Sequence, residues 1–114
     1  MMSKQMMSKQ EMFNRAYRGL ASQGWVRSID SSGCVYKNER GHRCAWGWVD
    51  LSLDANDIGP VADLNAGIAA DLGFNELVFA TQLQNLHDSS EDWKLEADFV
   101  SFADRNNLTI PVLT

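Results

Sequence analysis

The feature that most constrains this fold is an apolar stripe with helical spacing near the start of the chain. Its members recur at three- and four-residue intervals and are Met12, Phe13, Ala16, Tyr17 and Leu20. Ser8 and Glu11 stand before the stripe at capping-box spacing, and Gly24 follows its last turn. The pattern predicts a helix from Lys9 to Gln23 that buries one face, so the rest of the chain must supply an apolar surface against it.

The start of the chain repeats itself, because residues 1–5 and residues 6–10 both read MMSKQ. We expect residues 1–7 to form a flexible N-terminal extension and residues 8–114 to form a single α+β domain. A chain of 114 residues with 45% apolar side chains can bury one modest core. It is too short for a cofactor domain plus a substrate domain, which excludes two-domain enzymes.

The segment after this helix loses the helical period and is expected to form a β-hairpin. Cys34 to Lys37 is rich in strand-forming residues, and residues 38–41, which read NERG, are typical of a turn. The segment from His42 to Trp46 then returns as the second strand. The alternative is a helical turn over residues 45–48, which contain two small residues.

Three further helices follow from the remaining apolar spacing. Their expected bounds are Pro60 to Leu72, Asn75 to His87, and Ser89 or Ser90 to the Asn106-Asn107 pair. The residues of the last two helices that we expect to face the core are Leu77, Ala80, Leu83, Leu86, Trp93, Ala97, Phe99 and Val100. The predicted fold class is therefore α+β, with about four helices packed against one small antiparallel β-hairpin in a single domain.

Charge is divided unevenly along the chain. Residues 1–43 hold eight basic and three acidic side chains, whereas residues 44–93 hold nine acidic ones and no Lys or Arg. With a net charge of −5, direct binding of nucleic acid is not expected, since a basic stripe is its usual signature. The division favours either steering of a charged partner or complementary surfaces within the molecule. No apolar run reaches the length of a membrane span, so we expect a soluble, intracellular protein.

The cysteines and histidines of the chain are Cys34, His42, Cys44 and His87, and two thiolates with two imidazoles would satisfy tetrahedral zinc. No short C-x2-C spacing supports such a site, and buried thiols in a small core are the alternative. The His87-Asp88 pair is typical of metal-dependent phosphohydrolases, but the further histidines that they need are absent, which favours a role at the helix end. Because no nucleophile motif occurs either, we expect neither enzyme activity nor a cofactor.

Aromatic and acidic residues supply the candidate binding sites. Tryptophan is enriched at interface hot spots, and carboxylates imitate phosphates in a nucleic-acid-binding groove. The predicted partner-binding residues are Asp50, Asp54, Asp57, Trp46 and Trp48. In a second hypothesis, the protein captures a nucleotide or another small anion, because aromatic faces beside guanidinium groups suit such a ligand. The residues of that platform are Tyr36, Arg40, Arg43 and Trp46.

Three segments of the chain carry a resemblance. They are Cys34-Val35-Tyr36, Gly41-His42-Arg43-Cys44-Ala45-Trp46-Gly47, and Leu83-Gln84-Asn85-Leu86-His87-Asp88 followed by Trp93. In this order they resemble a loose group of small uncharacterised bacteriophage and prophage proteins with C-x-Y, G-x-x-C-A-x-G and L-Q-x-x-H-D segments. The resemblance spans most of residues 11–108 and implies no catalytic role for these positions.

With this resemblance, we expect a non-enzymatic phage-type accessory protein that binds and modulates a host protein in the cytoplasm of the bacterial host cell. Inhibition of a defence nuclease or a CRISPR complex is the expected mode of action, since the acidic middle of the chain suits a groove that binds nucleic acid. The alternative is a module that sequesters a small ligand or nucleotide. A third reading is a zinc-stabilised domain or a small metalloenzyme.

Overall fold

The computed structural model describes residues 7–30, 33–38, 40–53, 61 and 67–112, and most of these residues are helical. The helices are α1 (Lys9–Ser22), α2 (Ala45–Val49), α3 (Phe74–Ser89) and α4 (Leu95–Arg105), with 3-10 turns at Ile68–Asp71 and Asp92–Lys94. Residues 1–6 of the predicted N-terminal extension lie outside the described ranges, whereas Met7 packs against the core. Within those ranges, no helix has both the length and the apolarity needed to cross a bilayer.

Helix α1 agrees with its prediction at both ends. Ser8 Oγ accepts a hydrogen bond from the Glu11 amide at 3.1 Å, and the last helical residue is Ser22. Gly24 then adopts a φ of +77°, the left-handed conformation that glycine enters without a side-chain penalty. The predicted apolar stripe is buried throughout, at Met12, Phe13, Ala16, Tyr17 and Leu20.

The predicted α+β fold class is wrong, and the error lies in the hairpin. The chain does turn back on itself, since Lys37 forms an isolated bridge with Arg43. The returning segment, predicted as a strand over residues 42–46, becomes helix α2 at Ala45 instead. The other extended pairing among the described residues is a two-residue antiparallel contact within residues 29–34. Such a contact is too short to make a sheet layer, so the described part of the fold is helical.

A cap and a glycine explain why α2 forms where a strand was predicted. Cys44 is extended, and its Sγ accepts a hydrogen bond from the Gly47 amide at 3.3 Å, so the thiol caps the helix. Gly47 lies so close to Tyr36 that a Cβ atom would stand 2.3 Å from the Tyr36 carbonyl oxygen. Any larger residue would push α2 away from the segment before it. The helical alternative for residues 45–48 is therefore confirmed.

Helix α3 begins one residue before and ends two residues after its predicted bounds. Its N-cap is Gly73, which makes no side-chain cap bond, and the predicted cap Asn75 lies inside the helix. Leu77 and Leu86, which were predicted to face the core, are only half-buried. The side chains buried on α3 are Phe79, Ala80, Leu83, Gln84 and His87. Residues 60 and 62–66 of the helix predicted from Pro60 to Leu72 lie outside the described residues. The end of that prediction is wrong, because Gly67 has a φ of +76° and Ile68–Asp71 form a 3-10 turn before the extended Leu72.

Helix α4 starts later than predicted, because residues 90–94 form a turn first. Trp93 lies in that turn and is 79% exposed, and Ala97 and Val100 are exposed too. The buried face of α4 carries Leu95, Phe99, Phe102 and Ala103. Asn107 has a φ of +56°, which confirms the predicted left-handed cap.

An aromatic cluster joins α1 to α4. The ring centroid of Phe13 lies 5.7 Å from that of Tyr17, 5.9 Å from that of Phe99 and 6.4 Å from that of Phe102. Trp25 extends the cluster, with its ring centroid 4.9 Å from Tyr17 in an edge-on arrangement. These separations are favourable for aromatic pairs, so the cluster forms the centre of the core.

Candidate functional site

The two tryptophans predicted to anchor a partner are packed inside the molecule. Trp46 is fully buried, and its backbone amide donates to Gln84 Oε1 at 2.9 Å. Trp48 is half-buried, and its Nε1 donates to Gln23 Oε1 at 3.1 Å. Its ring lies against α1, where a Cβ atom on Gly19 would stand 2.1 Å from Trp48 Cγ. Because α2 packs on α1 in this way, Trp46 offers no surface to a partner and Trp48 offers little.

Asp50 was predicted in the same site and is also buried, with 4% of its surface exposed. Its Oδ1 accepts hydrogen bonds from the Ser52 amide at 3.1 Å and the Ser52 hydroxyl at 2.6 Å. Its Oδ2 accepts a hydrogen bond from the Ile68 amide at 2.9 Å. The carboxylate thus ties the end of α2 to the 3-10 turn that follows Gly67. Asp54 and Asp57 lie outside the described residues.

The predicted platform for a small anion is not assembled on the surface. Its rings are buried, since Tyr36 is 5% exposed and Trp46 is fully enclosed. Arg43 Nη1 donates to the backbone carbonyl oxygens of Gly47 at 3.2 Å and Leu53 at 2.9 Å, close to the carbonyl end of α2. Arg40 is exposed. A guanidinium held by the backbone beside buried rings stabilises the fold and does not face a ligand.

The four metal candidates do not converge in the described part of the chain. No group of three or more Cys, His, Asp or Glu there is placed to hold a metal ion. Burial raises the pKa of the Cys44 thiol to about 12, although the Gly47 amide opposes the shift. Cys44 therefore remains a thiol at neutral pH, whereas metals bind the thiolate. His42 is half-buried, His87 is buried, and the Cys34 side chain lies outside the described residues.

A buried hydrogen-bond chain joins α2 to α3, and the sequence analysis missed it. Gln84 accepts from the Trp46 amide and donates through Nε2 to Asp88 Oδ1 at 2.9 Å. The same carboxylate oxygen pairs with His87 Nδ1 at 2.9 Å. His87 thus contacts its neighbour Asp88, where a bond to the helix carbonyls was predicted. The signal was available, because Gln84 and His87 fall on the same helical face as Ala80.

Two further glutamines fasten distant segments together. Gln23 Oε1 accepts from the Arg43 amide at 2.9 Å, and its Nε2 donates to the Arg43 carbonyl oxygen at 2.8 Å. Gln10 pairs with both backbone groups of Thr109 in the same way, each at 2.9 Å. A carboxamide offers one acceptor and one donor group, so it can pair with an extended backbone as a neighbouring strand would. Nothing in the local sequence marks these two glutamines.

Helix α3 exposes apolar side chains on the side turned away from the core. Phe74 is 81% exposed and Val78 is 40% exposed. The two residues are one helical turn apart and therefore lie on the same side. They line an open groove of about 260 Å³ together with Leu77, Thr81 and Gln82, which we call the apolar groove.

A second groove of about 440 Å³ adjoins the first, between α3 and the end of α4. Its lining includes Gln82, Asn85, Leu86, Ser89, Phe102 and Arg105, and we call it the polar groove. Gln82 lines both grooves, so the two are neighbours along α3. Among the described residues that line either groove, Arg105 is the one charged side chain.

The apolar groove and the polar groove together form the candidate functional site, which we call the α3 face. Phe74 and Val78 were not among the predicted site residues. Their spacing nevertheless carries the signal, because a helix with Ala80 and Leu83 inward turns both outward. Neither protein-family models, nor curated proteins, nor solved structures give a significant match to this chain.

Proposed function

We propose that this protein is a non-enzymatic accessory protein of phage type that binds and modulates a host protein through the α3 face. The observation that carries the proposal is the exposed apolar surface on the outer side of α3. Phe74 and Val78 point into solvent, whereas Gln84 and His87 occupy the buried side. Leaving a large apolar side chain in water forgoes about 1.5 to 3 kcal/mol of burial free energy. A contiguous apolar patch on a small domain is typical of an interaction surface.

The buried titratable groups support a binding role over a catalytic one. Cys44 carries a side chain that could act as a nucleophile, but its raised pKa keeps the thiol protonated and unreactive. His87 carries a side chain that could act as a general base, but it is fully buried and paired with Asp88. Neither group reaches the α3 face, where a ligand would approach.

The partner class rests on the phage resemblance and on charge. In the described part of the acidic segment, Asp88, Glu91 and Asp92 are exposed at the end of α3 and in the turn after it. Asp92 pairs with Arg27 at 2.9 Å, which leaves the carboxylates of Asp88 and Glu91 to carry the exposed negative charge. Exposed charges of one sign steer the encounter with an oppositely charged surface and fix its orientation. A host defence nuclease or CRISPR complex, which must present a basic groove to nucleic acid, is the partner class that fits these acids. They lie beside the α3 face, whereas the face itself carries the basic side chain of Arg105.

Affinity capture with a matched control tests the proposal. The full-length protein, Phe74→Asp and Val112→Asp are tagged and incubated with nuclease-treated bacterial lysate, and bound proteins are identified by mass spectrometry. Val112 is 74% exposed and lies outside α3, so its variant makes the same chemical change elsewhere. We expect one protein to be retained in stoichiometric amounts by the wild type and by Val112→Asp, and to be lost from Phe74→Asp.

The captured protein is then purified and titrated by calorimetry. The Phe74→Asp change should weaken its binding at least tenfold, roughly the loss of one interface hot spot. Equal affinity of the wild type and Phe74→Asp for the captured protein would contradict a role for the α3 face.

A further inference from the structure

We infer that the α3 face receives an extended peptide segment of the partner protein, with an apolar side chain in the apolar groove and an Asp or Glu side chain in the polar groove. The inference rests on the proposed binding function and adds the chemistry of the bound segment. Three observations carry it: the length of the two grooves, their unengaged amides and their single charge.

The length of the site suits a peptide. The grooves run along α3, a helix of 16 residues, from Phe74 at its start to Ser89 at its end. Those ends are about 22 Å apart at the rise of an α-helix. An extended chain covers that distance with about seven residues. A small molecule would occupy only one of the two grooves.

The amides of the site favour an extended backbone over a helix. The side chains of Gln82 and Asn85 make no hydrogen bond to any described residue. Within this same protein, Gln10 and Gln23 each pair with both backbone groups of one residue. An extended peptide offers backbone N–H and C=O groups that have no partner within the peptide. In a bound helix, most of these backbone groups already pair with one another.

The charge of the site selects a carboxylate. Arg105 makes no ion pair with any described residue, and its guanidinium suits the planar, two-pronged geometry of a carboxylate. The exposed acids Asp88 and Glu91 belong to the end of α3 and the turn after it, and neither lines a groove. They repel a carboxylate at the rim while Arg105 attracts it inside, which orients the segment.

Selection from a library of random heptapeptides tests the inference without a known partner. The full-length wild type, Arg105→Glu and Arg18→Glu are used as bait. Arg18 is exposed on α1, outside the site, and provides the matched charge reversal. Wild-type bait should enrich Asp or Glu at a fixed distance from an apolar residue at least threefold over the input library. Arg18→Glu should keep that preference, and Arg105→Glu should lose it or select Lys and Arg instead.

The most enriched peptide is then synthesised with a fluorescent label and titrated by anisotropy. Both Arg105→Gln and Phe74→Ala should weaken its binding by about fivefold or more, with thermal unfolding midpoints that match the wild type. Absence of any enriched sequence overturns the inference, and so does an acidic preference that survives Arg105→Glu.

The two levels of the hypothesis fail in different ways. If no peptide is enriched but the captured host protein still depends on Phe74, the binding function stands and the extended acidic segment is wrong. If the captured protein binds Phe74→Asp as well as it binds the wild type, the binding function at this face is wrong as well.

Discussion

Helices α1 and α3 have similar lengths but opposite relations between sequence and surroundings. In α1, the buried side is made of apolar residues, and the capped start exposes Glu11 and Arg15, which form an ion pair at 2.9 Å. In α3, the buried positions hold the polar residues Gln84 and His87 beside three apolar ones, and Phe74 lies in water. Helix α1 therefore obeys the rule that a surface helix buries its apolar side, and α3 departs from it.

The difference separates structural from functional demands on the chain. Helix α1 anchors the aromatic cluster through Phe13, and its buried side is apolar throughout. Helix α3 is held to α2 by a hydrogen-bond chain, which leaves its outer side free to carry apolar residues. Departures of this kind from local sequence rules are concentrated at functional sites. Three of the four measurements below test the contrast between α1 and α3, and the third in order tests the cap of α2, on which α3 packs.

The largest contrast is expected between Phe13→Ala and Phe74→Ala. Phe13 is fully buried among three aromatic rings, so its truncation should lower the free energy of unfolding by about 3 to 5 kcal/mol. Phe74 is exposed, and its truncation should change that free energy by less than about 0.5 kcal/mol. Urea unfolding followed by tryptophan fluorescence measures both. Equal losses would mean that α3 packs as tightly on its outer side as α1 does on its inner side.

The second contrast lies within α3, between Gln84→Leu and Gln82→Leu. Gln84→Leu leaves the buried Trp46 amide without an acceptor and should cost about 1 to 3 kcal/mol. Gln82 is exposed, so the same substitution there should stay within about 0.5 kcal/mol. Urea midpoints of the two variants give the comparison. A stable Gln84→Leu variant would show that apolar packing alone holds α3 to α2.

The same comparison shows which features of the fold could be predicted from the sequence. The stripe and cap of α1 were predictable because both signals lie within one helix. The fold class was not, since the choice between strand and helix at residues 45–48 depends on a contact between Gly47 and the Tyr36 carbonyl oxygen. Side-chain bonds across long separations, such as that between Gln10 and Thr109, leave no local pattern at all. The exposed tryptophan proved to be Trp93, because the turn over residues 90–94 delays α4.

The third contrast concerns pH and the cap of α2. The pKa of Cys44 is about 12 in the folded protein and 9.0 in its ordinary environment, so the folded state favours the neutral thiol. The resulting stability is present in full below pH 9 and is lost as the pH rises from 9 towards 12. At pH 10 the loss should be on the order of 1 kcal/mol relative to neutral pH.

Comparison with Cys44→Ala isolates this effect from other groups that titrate in alkali, such as Tyr17, whose pKa burial also raises. Urea unfolding of Cys34→Ser and of Cys34→Ser with Cys44→Ala, at pH 7, 9 and 10, gives the two pH profiles. The chain that retains Cys44 should lose more stability between pH 9 and 10. Parallel profiles would mean that the thiol is not buried as described.

The smallest effect is the most informative one, because it asks whether Phe74 serves the fold at all. Phe74 is the first residue of α3, and its N-cap, Gly73, makes no side-chain bond. An aspartate there complements the positive end of the helix dipole, so Phe74→Asp should raise the free energy of unfolding by about 0.3 kcal/mol. Calorimetric melting in low salt measures the shift, and a loss of 1 kcal/mol or more would assign Phe74 to the core. A variant that gains stability while it loses the captured partner would mean that Phe74 is kept against the demands of the fold, which only a function at the α3 face explains.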